Sequence, residues 1–262
     1  MNRTIATILK STIIIFLFGV LSVKAQKLPN KQEGSVYALA GVKIDGNASE
    51  WSNTLQAYNR ATEVYYTLAN DADNLYLVCQ ATEVEVIQKV LDGGITLTVN
   101  ATDKNSTLTP VKVTYPIIPW TSVQIDYAMK TAGPLEDDVV VMINKRINGQ
   151  LKLIKVNGIK EFAEGTVPIY NDAGIIMAQN VTKSKVYTLE LAFPLKYIRQ
   201  LINDKGAFNY GITVNGDDPK TTVVVGGSNR FGAATEQVVP RGMEYTMTPT
   251  YFTATYTLAV KP

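Results

Sequence analysis

Acid–base chemistry in this chain can rest only on carboxylates, because the sequence contains no histidine. That absence excludes a Ser-His-Asp or Cys-His relay, zinc held by histidine, and haem ligated by histidine. Cys79 is the one cysteine, and it follows the apolar residues Leu77 and Val78. This context predicts a packed, unreactive thiol with no disulfide partner in the chain.

The carboxylates occur in three clusters, at 71 and 73, at 136–138 and at 217–218. Glycoside hydrolysis needs two carboxyl groups that face each other across a cleft, about 5–9.5 Å apart. Nothing in the sequence pairs these clusters, which fit a hairpin tip, the first turn of a helix and a loop after a strand. The sequence therefore predicts a protein that is not an enzyme.

A structural calcium ion is the alternative use of the first cluster. Asp71, Asp73 and Asn74 place hard oxygen ligands within one tight turn. The regular EF-hand spacing is missing, and Asp and Asn are also the residues that turns use to bond their own backbone. A calcium site and a plain turn both remain open, and the sequence suggests no other cofactor.

Residues 1–25 are typical of a secretory signal peptide. The cationic residues Arg3 and Lys10 precede an apolar run at 12–21. Val23 and Ala25 are the small residues that a signal peptidase needs for cleavage after Ala25. An uncleaved anchor is the alternative, but the run is shorter than the ~20 residues that span a bilayer. We therefore expect a secreted, periplasmic or cell-surface protein that does not span the membrane after cleavage. Without the leader the chain has one more acidic than basic residue, which argues against nucleic acid as a partner.

The rest of the chain is predicted to be a flexible segment at 26–34 and a single domain at 35–262. Alternating apolar residues separated by turns indicate a mainly β protein, an antiparallel β-sandwich with two or three short peripheral helices. Helices are expected at 84–91, 135–147 and 195–202, although three consecutive valines at 139–141 make a strand possible in the second. Strands are expected at 35–40, 42–44, 95–99, 111–115, 151–156, 174–180, 186–193, 207–215, 221–225 and 251–260, and as a hairpin within 64–81 around the tip at 70–74.

Several short motifs occur in a particular order. They are Ile44-Asp45-Gly46, then Glu50-Trp51, then the hairpin that carries Asp73-Asn74-Leu75-Tyr76. Over residues 42–100 this order resembles the start of family 9 carbohydrate-binding modules and their DOMON-like relatives. The segments 189–195 (LELAFPL) and 208–215 (FNYGITVN) are similar to the C-terminal half of the same family. The resemblance implies a β-sandwich in which Asp45, Gly46, Trp51 and Tyr76 are structural, with Trp51 in the core as its lid. A sugar platform is the alternative role for Trp51.

The resemblance also implies a secreted, non-catalytic module that binds glycans or mediates adhesion at the cell envelope. Sugar sites use aromatic faces together with polar side chains, so the candidate ligand-binding residues are Trp120, Tyr127, Tyr170, Arg230 and Arg241. A plug that seals one end of the sandwich is the alternative for Trp120. Modules of this family that bind the ends of sugar chains use two tryptophans. This chain has only one tryptophan, Trp120, in addition to Trp51. A structural or protein-interaction sandwich that binds another cell-surface protein, without a sugar site, is therefore the second hypothesis.

Overall fold

The computed structural model describes residues 27–51, 55–118, 123–216 and 244–262. Within these ranges the chain is mainly β, and its strands form two six-stranded sheets that pack face to face as a sandwich, as predicted. The strands are β1 Val36–Tyr37, β2 Ala57–Asn59, β3 Val64–Asn70, β4 Asn74–Ala81, β5 Ile95–Asn100, β6 Val111–Tyr115, β7 Leu153–Asn157, β8 Thr166–Pro168, β9 Ile176–Val181, β10 Tyr187–Pro194, β11 Ala207–Val214 and β12 Thr250–Thr257. The predicted strand at 221–225 lies outside the described residues.

The first sheet is organised around the β3–β4 hairpin. Its strand order is β1–β3–β4–β10–β9, and β2 pairs with β3 beside β1. All neighbours are antiparallel except β1, which runs parallel to β3. At the hairpin tip, Asp71 Oδ1 accepts the backbone amides of Asp73 at 2.8 Å and Asn74 at 2.7 Å. The tip is therefore held by an Asx side chain, as the sequence predicted.

The second sheet has the order β12–β11–β5–β6–β7–β8, and every pair in it is antiparallel. The main core lies between the two sheets. Tyr66 of the first sheet and Tyr210 of the second meet there, with their hydroxyl oxygens 2.9 Å apart. Cys79 is buried in the same core, and burial raises the pKa of its thiol, so it is the packed free cysteine that the sequence predicted.

Four helices lie at the periphery of the described structure, and the first packs against the main core. They are α1 Val84–Gly93, α2 Val123–Lys130, α3 Asp137–Gln150 and α4 Glu244–Met247. The apolar stripe of α1 is fully buried against the main core. The prediction for α3 was right in type but short, because the helix continues through Gly149 instead of ending before it. The predicted helix at 195–202 is two short 3-10 turns, and α2 and α4 were not predicted as helices.

The N-terminal strands were predicted too long. The segment 35–40 contributes only β1, and 42–44 is not a strand. Gly41 has a φ of +82°, which turns the chain away from the sheet edge. β2 pairs with β3 next to β1, so only two residues of the N-terminal segment find a partner strand there. The following residues cross the outer face of the first sheet instead of extending it.

Helix α3 closes one edge of the first sheet. The side chain of Asn144 donates from Nδ2 to the carbonyl of Val181 at 2.8 Å and accepts the amide of Val181 at 2.8 Å. These two bonds replace the ladder that a further strand would make on β9. None of the described helices combines the length and the apolar character needed to cross a bilayer.

Candidate functional site

A buried carboxylate anchors the N-terminal segment to the outer face of the first sheet. Glu190 lies in the middle of β10 with no exposed surface. Its Oε1 accepts the indole N–H of Trp51 at 2.8 Å, and its Oε2 accepts the amides of Gly46 at 2.7 Å and Asp45 at 3.0 Å. Three donors from one loop therefore converge on one carboxylate, which satisfies it in a buried setting.

The local sequence explains why the loop can approach so closely. Gly46 has a φ of +85°, and a Cβ built on it would lie 2.6 Å from the carbonyl carbon of Gln179, so only glycine fits here. The carboxylate of Asp45 accepts the amide of Asn47 at 2.9 Å, which closes the turn. The chain then enters a 3-10 turn, Ala48–Trp51, which directs Trp51 back toward the sheet.

Trp51 packs in a second, smaller core on the outer face of the first sheet, and 8% of its surface is exposed. It does not lie between the sheets as a lid on the main core. Its ring centroid is 5.8 Å from that of Tyr76, whose hydroxyl donates to Asp71 Oδ2 at 2.7 Å. The residues expected to be structural, Asp45, Gly46, Trp51 and Tyr76, thus form one connected unit with Glu190.

Two pKa shifts follow from this unit. Burial raises the pKa of Glu190, against the lowering effect of the hydrogen bonds from Trp51, Gly46 and Asp45. Burial would also raise the pKa of Asp71, but the hydrogen bonds from Tyr76 and from the amides of Asp73 and Asn74 outweigh it and lower that pKa. Both shifts show carboxylates that serve the fold by accepting hydrogen bonds.

The turn proposed for calcium is engaged in these internal contacts. Both carboxylate oxygens of Asp71 accept hydrogen bonds, and the side-chain amide of Asn74 lies 3.5 Å from the Tyr76 hydroxyl. In the described part of the chain, no three acidic or cysteine side chains come together as a metal site would need. The geometry at this tip is that of an Asx turn.

One buried cation lies at the junction of α1, α4 and β12. Lys89 has no exposed surface, and its Nζ donates to Thr250 Oγ1 at 3.0 Å and lies 4.6 Å from the ring centroid of Tyr245. The hydroxyl of Tyr245 donates in turn to the carboxylate of Glu63. Burial lowers the pKa of Lys89, and the nearby Glu63 opposes that effect. The packing gives this lysine a structural role, since it joins a helix to the last strand.

An open groove lies beside the anchored loop on the outer face of the first sheet, with a volume of about 300 Å³. Among the described residues, those that line it are uncharged, and most are amides or hydroxyls. One wall is the loop at Gly46, Asn47 and Ala48, and the floor and opposite wall are formed by Gln80, Asn180, Thr182, Ser184, Val186 and Thr188. We call this the loop groove.

The floor of the loop groove belongs to a row of side chains that crosses the sheet. Successive register partners place five residues side by side on the outer face, in the order Tyr58, Tyr65, Gln80, Thr188 and Asn180. The rings of the two tyrosines have centroids 4.6 Å apart, and Gln80 Nε2 donates to Thr188 Oγ1 at 3.1 Å. Within the described structure, the side chain of Asn180 makes no hydrogen bond. We call these five residues the outer row.

The outer row combines two partly exposed aromatic rings with two amides and a hydroxyl. Such a set can pack against an apolar ring face and exchange hydrogen bonds with ligand hydroxyls. It holds no acid–base pair, because the nearest buried carboxylate, Glu190, lies beneath Trp51 and is fully engaged. The aromatic rings, amides and hydroxyl are groups that suit a neutral, hydroxyl-rich ligand.

Of the predicted ligand residues, Tyr127 on α2 and Tyr170 in the loop after β8 do not line the loop groove. Both are prominent on the surface, 78% and 91% exposed. Trp120, Arg230 and Arg241 lie outside the described residues.

The outer row was missed at the level of the sequence. Its residues are spread from position 58 to position 188, and only the strand register places them together. Alternation does show that Thr188 shares the face of Glu190 along β10, and that Gln80 shares the face of Tyr76 along β4. That signal identifies the face, but it carries no information on which strands are neighbours.

Comparisons with known proteins identify no relative: no protein-family description, no curated protein sequence and no solved structure matches this chain.

Proposed function

We propose that this chain is an exported, non-catalytic module that binds neutral glycans at the cell envelope. The observation that carries the proposal is the outer row, which sets two tyrosine rings beside Gln80, Thr188 and Asn180 on one side of the uncharged loop groove. Pyranose rings present apolar C–H faces and a rim of hydroxyls, so aromatic rings followed by amides match their chemistry. The absence of charge along the groove favours neutral sugars.

The contacts at Glu190 support the family resemblance as part of this proposal. The motif Asp45-Gly46 and Trp51 of the first half bonds directly to Glu190, which lies in the LELAFPL segment of the second half. The two segments that resemble family 9 carbohydrate-binding modules are therefore physical partners. Their joint role would be to hold the loop that forms one wall of the groove.

Export is the second part of the proposal, and it rests on residues 1–25. The charged start, the apolar run and the small residues before position 26 support cleavage after Ala25. Mass spectrometry of protein from the producing cell should find Gln26 as the mature N-terminus. Recovery of an intact Met1 would contradict export with cleavage.

A glycan-array screen of the exported protein, followed by calorimetric titration with a responding neutral oligosaccharide, tests the binding proposal. Asn180→Ala and Gln80→Ala each remove an amide from the groove and should weaken binding roughly 3- to 10-fold, the worth of one hydrogen bond. Asn148→Ala, at an exposed position of α3, is the matched control and should bind like the wild type.

Two results would overturn this proposal. If no neutral glycan responds on the array, the function is wrong. If a glycan binds but both groove variants keep wild-type affinity while remaining folded, the loop groove is not the site.

A protein-interaction sandwich is the second candidate, and one edge strand favours it. Among the described strands, β12 is an outer strand of eight residues, TYFTATYT, without charge or proline, which are the usual protections of an exposed edge. Such an edge can pair with a strand of another envelope protein. Thr253→Pro on β12 should abolish a partner captured by crosslinking, while glycan binding at the opposite sheet persists. Capture that is equal in the variant would refute edge pairing.

A further inference from the structure

The outer face of the second sheet carries a second ordered array. Register partners form one row across all six strands, and its members are Tyr251, Thr213, Thr96, Thr114, Lys155 and Thr166. The next row holds Thr253, Gly211, Thr98, Lys112 and Asn157. We call these two rows the threonine face. At about 4.8 Å between strands, the first row is roughly 24 Å long.

The threonine face is open to solvent at both ends. Tyr251 is 67% exposed at the β12 edge, and Thr253 beside it is also exposed. Lys112 and Lys155 are exposed near the other end. This differs from the first sheet, where the loop that Glu190 holds covers the part of the outer face next to the loop groove.

The middle of the face is internally ordered. The hydroxyls of Thr96 and Thr114 are 2.7 Å apart, and Asn215 Nδ2 donates to Thr96 Oγ1 at 2.9 Å. Asn215 is itself held, because the same Nδ2 lies 2.8 Å from the carbonyl oxygen of Gly93. These bonds fix the hydroxyls in place, so a ligand would meet a preorganised surface.

The charge on the face has one sign. None of the six strands contains an aspartate or glutamate, and Lys112 and Lys155 are their only charged residues. The two lysines sit on neighbouring strands at diagonal positions, since Lys112 pairs with Asn157 and Lys155 with Thr114. Neither forms an ion pair with another described residue. Two like charges on one face repel each other, and an anionic ligand would relieve that repulsion.

We propose that the threonine face is a second binding site, specific for a carboxylated, uronic-acid-type polysaccharide. The two ammonium groups would meet sugar carboxylates, the partly exposed hydroxyls of Thr98, Thr114 and Thr213 would meet sugar hydroxyls, and Tyr251 would pack against a ring at the far end. The two lysines lie at diagonal positions of neighbouring strands, about 7–8 Å apart, so both can meet carboxylates of one polyuronate chain. Nucleic acid fits poorly, because the described face offers only two cations and a single exposed aromatic ring. This inference does not depend on the loop groove.

The test uses polygalacturonate as the probe and its fully methyl-esterified form as the neutral reference. Affinity electrophoresis of the exported protein at physiological salt should show retardation by the acid and none by the ester. Lys112→Gln with Lys155→Gln should weaken binding to the acid roughly tenfold, the combined worth of two exposed charge contacts. Lys31→Gln with Lys145→Gln removes the same charge at exposed positions off this face and should leave retardation unchanged.

Further arms separate binding at the threonine face from binding in the loop groove and from non-specific attraction between charges. Asn180→Ala in the loop groove should not change retardation by polygalacturonate. The two proposed sites are therefore tested independently of each other. Equal retardation by the methyl ester, equal loss in both lysine pairs, or stronger retardation by single-stranded DNA would each overturn the proposal. Unchanged thermal melting of both double variants shows that the comparison is made between folded proteins.

Discussion

Replacement of Glu190 by glutamine tests the anchor on which the groove wall depends. Glutamine has the same shape, but it offers one acceptor oxygen and one NH2 group in place of two acceptor oxygens. All three partners of Glu190 are N–H donors, from Trp51, Gly46 and Asp45. Whichever way the amide turns, its NH2 group must face at least one donor.

The magnitude follows from that geometry. A buried donor left without an acceptor costs about 1–3 kcal/mol. We therefore expect Glu190→Gln to destabilise the fold by about 1–3 kcal/mol. For a chain of this size that corresponds to a fall in melting temperature of roughly 2–12 °C. Circular dichroism melting and urea titration would measure it.

The raised pKa of Glu190 predicts how the stability of the wild type changes with pH. Burial raises the pKa of Glu190 above its ordinary value of 4.5, so the folded protein keeps this proton to a higher pH than the unfolded chain does. The stability from this group is complete below pH 4.5 and is lost as the pH rises through the folded-state pKa. The difference in stability between the wild type and Glu190→Gln should therefore become smaller as the pH rises from acid toward neutral.

A double-mutant cycle with Trp51→Phe gives the control. Phenylalanine keeps an aromatic ring but removes the indole donor, so the two changes should be non-additive by about 1 kcal/mol or more. Glu136→Gln, at an exposed glutamate that precedes α3, should change stability by less than about 0.5 kcal/mol. A Glu190→Gln variant with the melting temperature of the wild type would refute this role for Glu190. A stability difference that grows as the pH rises would refute it as well.

Three further predictions concern other parts of the chain. Trp51→Ala should destabilise by about 3–5 kcal/mol, because it empties the smaller core, and an unchanged melting curve would contradict burial. The lowered pKa of Asp71 means that its stabilising contribution is present above its unfolded pKa and is lost as the pH falls through the folded-state pKa. Asp71→Asn should therefore be less stable than the wild type at pH 7, and in parallel melts the difference should shrink as the pH falls below the ordinary aspartate value of 3.8. If the sugar platform is Trp120, as the sequence predicted, and not the loop groove, Trp120→Ala should abolish binding of a responsive glycan while Asn180→Ala retains it, as tryptophan fluorescence titration would show. Retained affinity, or an unfolded variant, would remove Trp120 from the ligand site.

Local patterns were sufficient to predict most of the elements. The hairpin of β3 and β4, the strands β5 and β6 and the helix α1 appear where alternation, turn residues and helical spacing placed them. The strands β2 and β8 were not predicted, because three residues each are too few to show alternation. The N-terminal segment, by contrast, was predicted to contain more strand than the structure has. It has strand-like residues, but β2 occupies the place beside β3 where further pairing would occur.

The sequence by itself determined that this is a histidine-free, mainly β chain whose one cysteine is buried. Those features depend on composition or on residues close together in the chain, where spacing and side-chain chemistry are sufficient. The structural roles of Asp45, Gly46, Trp51 and Tyr76 were expected only from the resemblance that their motifs carry. Only the tertiary structure decided that Glu190 receives the loop, and that Tyr65, Gln80, Thr188 and Asn180 stand in one row. The physical reason is register: a strand's own residues decide which side chains share a face, but pairing with distant strands decides which of them become neighbours.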